Sequence, residues 1–123
     1  MSFDWEEYYK LANELLNSKM KCDNEAIQRT SISRAYYACF CISRNKMIQK
    51  VGSIPKDGSV HVKVKDFFPN HTNKKYIEIG IALDRLRNDR TKSDYENFIP
   101  QIKMLTAKSL LEAKELFYLL KQI

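Results

Sequence analysis

The sequence predicts an all-α protein, a single domain over residues 1–123 that is built from a few long helices. Glycine and proline are scarce, with three of each among 123 residues. That leaves too few turn signals for a many-stranded sandwich or barrel. The stretch 26–51 contains neither residue, so a long helix is allowed there. A chain of this length matches one domain with one hydrophobic core.

The stretch 26–51 is apolar on two faces when it is drawn as a helix with about 100° per residue. One stripe consists of Ile32, Ala35, Tyr36, Cys39, Phe40 and Met47. The stripe on the far side consists of Tyr37, Cys41, Arg44 and Ile48. A helix apolar on two faces must be covered on both. We therefore predict a central helix whose first stripe lies in the core and whose second stripe contacts a second copy or another partner.

The ends of the central helix and the segments around it follow from local signals. Asp23 or Asn24 can cap its start, and Gly52 fits its end. The residues 52–59 are typical of a loop. Residues 60–68 alternate like a strand, but we predict a short helix there because the chain offers no second strand to pair with it.

Three further helices complete the predicted domain. The first begins near Trp5, with Asp4 as its N-cap. A fourth helix runs from residue 74 to about residue 92 behind a cap at Asn73. Ser93 with Glu96 forms a capping-box pattern that predicts a short turn, and the last helix begins at Pro100 and runs to the C-terminus.

Charge and cysteine content narrow the class of protein. The formal charge is +6 and the pI is near 9.2, which fits phosphate-bearing partners but equally fits lysines on solvated helix faces. Cys39 and Cys41 lie about 200° apart on a helix, so they cannot bridge each other or share a metal. With Cys22 they resemble thiols of a reduced cytosolic protein. We expect no cofactor, no metal site, no membrane segment and a cytoplasmic location.

The densest charged stretch is 85–95. Arg87, Arg90 and Asp94 share one face if the helix persists to residue 94. Clustered guanidinium groups can bind phosphate bidentately, or an Arg–Asp pair can close the helix end.

Three further arginines lie on or beside the long helix: Arg29, Arg34 and Arg44. Each must extend to solvent or pair with an acid. The first helix supplies candidate acids: Glu6, Glu7 and Glu14.

Two segments together, RTSISRAYYACF at 29–40 and RTKSDY at 90–95, resemble the HEPN family (higher-eukaryote and prokaryote nucleotide-binding domains), in particular its small stand-alone prokaryotic members. His61 ahead of a Phe67-Phe68 pair adds to the resemblance, which covers nearly the whole chain. The family implies an antiparallel, up-and-down bundle of four to five helices that forms a homodimer, often beside a small nucleotidyltransferase in a toxin–antitoxin pair. Many members are metal-independent ribonucleases that use an arginine followed a few residues later by a histidine.

That histidine is absent here. Five to seven residues after Arg87 the chain has Lys92, Ser93 and Asp94, and five residues after Arg90 it has Tyr95. Our first hypothesis is therefore a dimer that acts through RNA, a nucleotide or a nucleotidyltransferase without the catalytic histidine. The alternatives are an active endoribonuclease in which Tyr95 or His61 replaces it, and a helical interaction module without a nucleic-acid role. The candidate catalytic residues are Arg90, Asp94 and Tyr95. The candidate RNA- or phosphate-binding residues are Arg87, Arg90, Lys92 and His61.

Overall fold

The computed structural model describes residues 2–52 and 59–123 of the protein, and those residues fold into five α-helices without a strand. The helices are α1 Glu6–Asn17, α2 Asn24–Val51, α3 Val60–Phe67, α4 Lys74–Tyr95 and α5 Ile102–Leu120. The predicted all-α class is confirmed, and the segment 60–68 is mostly helical, as expected. The loop predicted for 52–59 falls largely on residues 53–58, which lie outside the described residues.

Helix α2 is the central element and packs against each of the other four helices. Its first stripe is buried throughout, as predicted: Ile32, Ala35, Tyr36, Cys39, Phe40 and Met47. The side chains around them come from α4 and α5, among them Ile79, Leu86 and Leu116, which are fully buried. The close approach of α1 is marked by the Ser31 hydroxyl, which donates to the Ala12 carbonyl oxygen at 2.7 Å.

The predicted helix caps are largely confirmed. The Asp4 carboxylate accepts from the Glu6 amide at 3.0 Å, just ahead of α1. The Asp23 carboxylate accepts from the Glu25 amide at 3.1 Å, so Asp23 rather than Asn24 caps α2. Gly52 ends α2 with a φ of 97°, a conformation that glycine adopts without steric cost. The Asn73 side chain accepts from the Lys75 amide at 2.8 Å.

A short connection precedes the last helix as predicted, but the capping role of Ser93 is wrong, because α4 continues past residue 92 to Tyr95. The Ser93 hydroxyl donates to the Asp89 carbonyl oxygen one turn earlier, at 2.9 Å, so it does not cap a new helix. Arg29 of α2 fixes where α4 ends: its Nη1 donates to the carbonyl oxygens of Ser93 at 3.0 Å and Glu96 at 2.7 Å. These are carbonyls that a helix end leaves without an intrahelical partner.

The last helix begins two residues later than predicted, at Ile102 rather than Pro100. The residue before it, Gln101, has a φ of 53° in the left-handed region. Residues 96–101 therefore form the connection between α4 and α5.

The connection between α3 and α4 lies close against α4. A Cβ atom on Gly80 would stand 2.7 Å from Cδ and Cγ of Pro69, so only glycine allows this approach without a shift. No helix among residues 2–52 and 59–123 is both long and apolar enough to cross a membrane.

Candidate phosphate-binding site

A cleft of about 750 Å³ lies between α2, α3 and α4. Its walls combine aromatic rings with charged side chains. The residues that matter for its chemistry are Tyr36, Phe40, His61, Lys65, Asp84 and Arg87. Pro69 and Gly80 also line it, so the close contact between them shapes one wall.

His61 lies at this cleft with its ring stacked on Phe40 of α2, with ring centroids 4.3 Å apart and planes at 10°. Partial burial lowers the pKa of His61, and the positive charges of Arg90 and Arg44 lower it further. A lowered pKa keeps the imidazole neutral at neutral pH, so one ring nitrogen remains a hydrogen-bond acceptor.

Arg90 lies against the same face of α2. Its guanidinium carbon is 5.3 Å from the ring centroid of Tyr36 and 5.6 Å from that of Tyr37. Its Nη1 pairs with the Asp94 carboxylate at 3.3 Å, while its buried Nε has no hydrogen-bond partner among the described residues. Burial raises the pKa of Tyr36 to about 12, although the Arg90 charge acts in the opposite direction. Tyr36 therefore stays protonated beneath the guanidinium.

Arg34 and Arg44 extend this arrangement along α2. The Arg34 guanidinium lies between two rings, 4.9 Å from the centroid of Tyr8 and 5.3 Å from that of Tyr37. The Arg44 guanidinium lies 5.6 Å from the Trp5 ring. Neither arginine pairs with a carboxylate in the part of the chain that the structure describes. The possible ion pairs of these two arginines with Glu6, Glu7 or Glu14 are therefore not formed, and aromatic rings at the start of the chain lie beside them instead.

We name this region the arginine–aromatic surface. It consists of Arg34, Arg44 and Arg90 together with Trp5, Tyr8, Tyr36 and Tyr37. Of these three guanidinium groups, only that of Arg90 pairs with a carboxylate among the described residues, that of Asp94, so the surface is positively charged. Stacking on rings engages the faces of the guanidinium groups and leaves N–H groups at their edges for a ligand. Those of Arg44 also contact the neighbouring Asn45 side chain at 3.2 Å.

Arg87 joins the cleft one turn before Arg90 on α4. Its Nη2 pairs with the Asp84 carboxylate at 2.7 Å. Both side chains are more than a third exposed, at 38% and 50%, and an exposed pair of this kind contributes only about 0.2–1 kcal/mol. A phosphate group can therefore replace Asp84 as the partner of Arg87 at little cost.

The structure brings only part of the predicted site together. His61, Arg87 and Arg90 lie around one region, and Asp94 pairs with Arg90. Lys92 is exposed. Tyr95 is 76% exposed, and its side chain makes no hydrogen bond or ring contact with another described residue.

The second stripe of α2 is not free along its whole length. Cys41 is buried, while Tyr37, Arg44 and Ile48 are half-buried. Part of it is covered, because Arg44 lies against the Trp5 ring and the neighbouring Arg34 lies against the Tyr8 ring of α1. The prediction that this stripe contacts a second copy or a partner stays a prediction, and the surface that it offers is narrower than the sequence indicates.

Sequence reasoning missed Arg34 and two ring-bearing residues as parts of the site: Trp5, which directly precedes α1, and Tyr8 of α1. One signal was present: Arg34, Tyr37 and Arg44 recur at positions i, i+3 and i+10 on one helix face. The spacing does not show that α1 lies alongside that face.

Among residues 2–52 and 59–123, no three histidine, cysteine or acidic side chains are grouped closely enough to hold a metal ion. Comparisons with protein-family models, curated proteins and solved structures gave no significant match. The resemblance to HEPN proteins thus stays a prediction. The geometry of the cleft and of the arginine–aromatic surface is the basis for a functional assignment.

Proposed function

We propose that the protein is a HEPN-type helical bundle that binds RNA or a nucleotide through phosphate groups at the α2–α3–α4 cleft and the adjoining arginine–aromatic surface. The observation that carries the proposal is the charge imbalance there: Arg34 and Arg44 have rings rather than carboxylates as partners. Structural arginines are normally neutralised when they are partly buried. Arginines held by aromatic faces instead remain charged and available for an anion.

The length of the surface favours a ligand with several phosphates. Arg34 and Arg44 are ten residues apart on α2, which corresponds to about 15 Å along a helix. Arg90 lies beside this row, over Tyr36 and Tyr37. A single phosphate group cannot contact both ends of such a row, whereas a short single-stranded polynucleotide can. The half-buried rings of Trp5, Tyr8 and Tyr37 lie beside this row, and the face of an aromatic ring can stack on a base.

The same proposal includes a homodimer with an up-and-down helix order and a nucleotidyltransferase partner in a toxin–antitoxin-like system. The support for these parts is the sequence resemblance, together with the half-exposed Tyr37, Arg44 and Ile48 on α2. A dimer predicts a mass near twice 14.5 kDa in light scattering. A clean monomer at micromolar concentration contradicts it.

The first experiment is binding of a fluorescent single-stranded oligoribonucleotide, followed by anisotropy at low salt. We expect Arg34→Ala, Arg87→Ala and Arg90→Ala each to weaken binding. Lys114→Ala is the matched control, because it removes one positive charge from the exposed side of α5, away from the cleft. No binding by the unaltered protein, or equal losses in all four variants, contradicts the proposal.

One observation favours a second candidate function, a metal-independent endoribonuclease with His61 as general base. His61 is a neutral imidazole influenced by two arginines, Arg90 and Arg44, and a neutral imidazole is the form that accepts a proton from a 2′-hydroxyl. Arginine can stabilise the charge that develops on phosphate. This candidate predicts RNA cleavage in EDTA that His61→Gln abolishes and Lys114→Ala does not. Absence of cleavage by the unaltered protein excludes it.

A further inference from the structure

The outer face of α5 carries a row of large apolar side chains. Met104, Leu111 and Tyr118 are 67%, 58% and 69% exposed, and they follow one another at intervals of seven residues. The core face of α5 lies on the opposite side and is buried through Leu110, Leu116 and other residues. The exposed row therefore makes no contribution to the core.

The row has the spacing of residues that pack one helix against another. Seven residues correspond to about two turns, so the three side chains span about 21 Å along the helix axis. Ala107 is exposed between the first two and is small enough to let another helix approach. A narrow stripe that repeats every seven residues is typical of packing against a single helix, because a broader stripe is needed to lie against a core.

The two edges of the row differ in charge. On a helical wheel, one edge carries three lysines: Lys103, Lys114 and Lys121. Of these only Lys121 has an acidic neighbour among the described residues, Glu6 at 3.9 Å, and both side chains are largely exposed. The opposite edge is mixed, with Lys108 beside Glu112 and Glu115. The positive charge of the lysine edge favours a partner with acidic side chains.

We propose that the outer face of α5 is a docking surface for an acidic amphipathic helix of a partner protein. The apolar row receives the partner's apolar seam, and the lysine edge receives its carboxylates. A two-fold antiparallel pair of α5 helices places each edge opposite its own copy. Lysine would then face lysine, so the charge pattern disfavours an antiparallel second copy of this chain as the occupant.

The test uses two synthetic amphipathic helical peptides of about three heptads, each with leucine along the seam. One carries glutamate along its edges, and the other carries lysine. Binding to the full-length protein is followed by fluorescence anisotropy. We expect the glutamate peptide to bind more tightly. Leu111→Ser is expected to weaken that binding by about tenfold, and the triple variant Lys103→Glu, Lys114→Glu, Lys121→Glu is expected to reverse the preference.

Leu11→Ser is the matched control, since Leu11 is an exposed leucine of α1 at 41%. It is expected to leave binding unchanged, and thermal unfolding verifies that all variants remain folded. Three results overturn the proposal: equal or undetectable binding of the two peptides, loss of self-association in Leu111→Ser, and binding to anionic lipid vesicles that Leu111→Ser abolishes. The second result assigns the face to a second copy and the third to a membrane surface. None of these outcomes depends on RNA binding at the cleft.

Discussion

The arginine–aromatic surface and the contact between α4 and α5, which we call the α4–α5 seam, are both rich in charge. Acids and bases pair in the seam but mostly do not at the surface. In the α4–α5 seam, Asp89 lies near Lys108 at 3.7 Å, and Glu112 lies near Arg85 at 3.9 Å. Two acids there face two bases. At the arginine–aromatic surface only Arg90 pairs with a carboxylate among the described residues, and Arg34 and Arg44 have aromatic rings as partners instead.

This difference separates charge that serves folding from charge that is available to a ligand. A buried carboxylate is tolerated only when it is hydrogen-bonded or paired, and the seam meets that requirement at Asp89. Cation–π contacts contribute about 0.5–2 kcal/mol each without neutralising the guanidinium. The arginine–aromatic surface thus orders its arginines and keeps their charge.

The largest expected effect comes from breaking the seam at Asp89. This residue is 4% exposed, and its carboxylate accepts from the Ser109 hydroxyl at 2.9 Å. Asp89→Ala leaves that hydroxyl and the nearby Lys108 without their partner, so we expect a loss of about 2–3 kcal/mol in the free energy of unfolding. Urea denaturation measures it. Asp84→Ala on the same helix is the control, and since its ion pair is exposed, its loss should stay below about 1 kcal/mol.

A loss no larger in Asp89→Ala than in Asp84→Ala would show that the seam does not depend on the buried carboxylate. The contrast with the arginine–aromatic surface would then disappear.

A smaller effect is expected at Glu112, where the seam is imperfectly balanced. Burial, helped by the nearby charges of Asp89 and Glu115, raises the pKa of Glu112, and the opposing effect of Arg85 and Lys108 does not cancel the rise. Its buried Oε1 has no hydrogen-bond partner among the described residues. The folded protein therefore holds the proton more tightly than the unfolded chain. The carboxylate destabilises the fold above its raised pKa, and the penalty vanishes as the pH falls through it.

Glu112→Gln is accordingly expected to stabilise the protein at pH 7 by less than about 1 kcal/mol, with the gain shrinking toward acidic pH. Denaturation at several pH values measures this trend. A gain that is constant with pH would assign the effect to packing rather than to charge.

The smallest effect is a change in the pKa of His61 that reports the charge of Arg90 directly. Arg90 lowers this pKa, so Arg90→Gln should raise it toward the usual value of about 6.5. An NMR titration of the imidazole resonances measures the shift. Arg85→Gln is the control, because Arg85 is not among the groups that lower the pKa of His61. Equal shifts in both variants would mean that His61 responds only to the net charge of the protein.

Sequence patterns predicted the helices well where the signals are local. The cap at Asn73, the glycine end of α2 and the buried stripe through Tyr36 follow from residues that are neighbours in the chain. The end of α4 did not follow, because Ser93 and Glu96 resemble a capping box. The Arg29 side chain donates to the carbonyl oxygens of Ser93 and Glu96, which are 64 and 67 residues away in the chain. This tertiary contact at the end of α4 is not visible in the local pattern.

The candidate site was predictable in its arginines but not in their partners. Arg87 and Arg90 are recognisable from their spacing with Asp94, and both lie at or beside the cleft. The stacking of Arg34 on Tyr8 depends on how α1 lies across α2, which no spacing within either helix specifies. An arginine on a helix face can extend to solvent or contact an acid, a backbone carbonyl or a ring, and only packing selects among them.

The central claim, that the arginine–aromatic surface carries unneutralised charge for phosphate binding, is tested most directly by the salt dependence of RNA binding. For single-stranded ligands, each phosphate contact contributes a slope of about −0.7 to a plot of log K against log salt concentration. The double variant Arg34→Ala, Arg44→Ala is therefore predicted to make the slope shallower by about 1.4, whereas Lys103→Ala, Lys114→Ala, which removes the same charge from α5, leaves it unchanged. Equal slopes for the two double variants would contradict the claim.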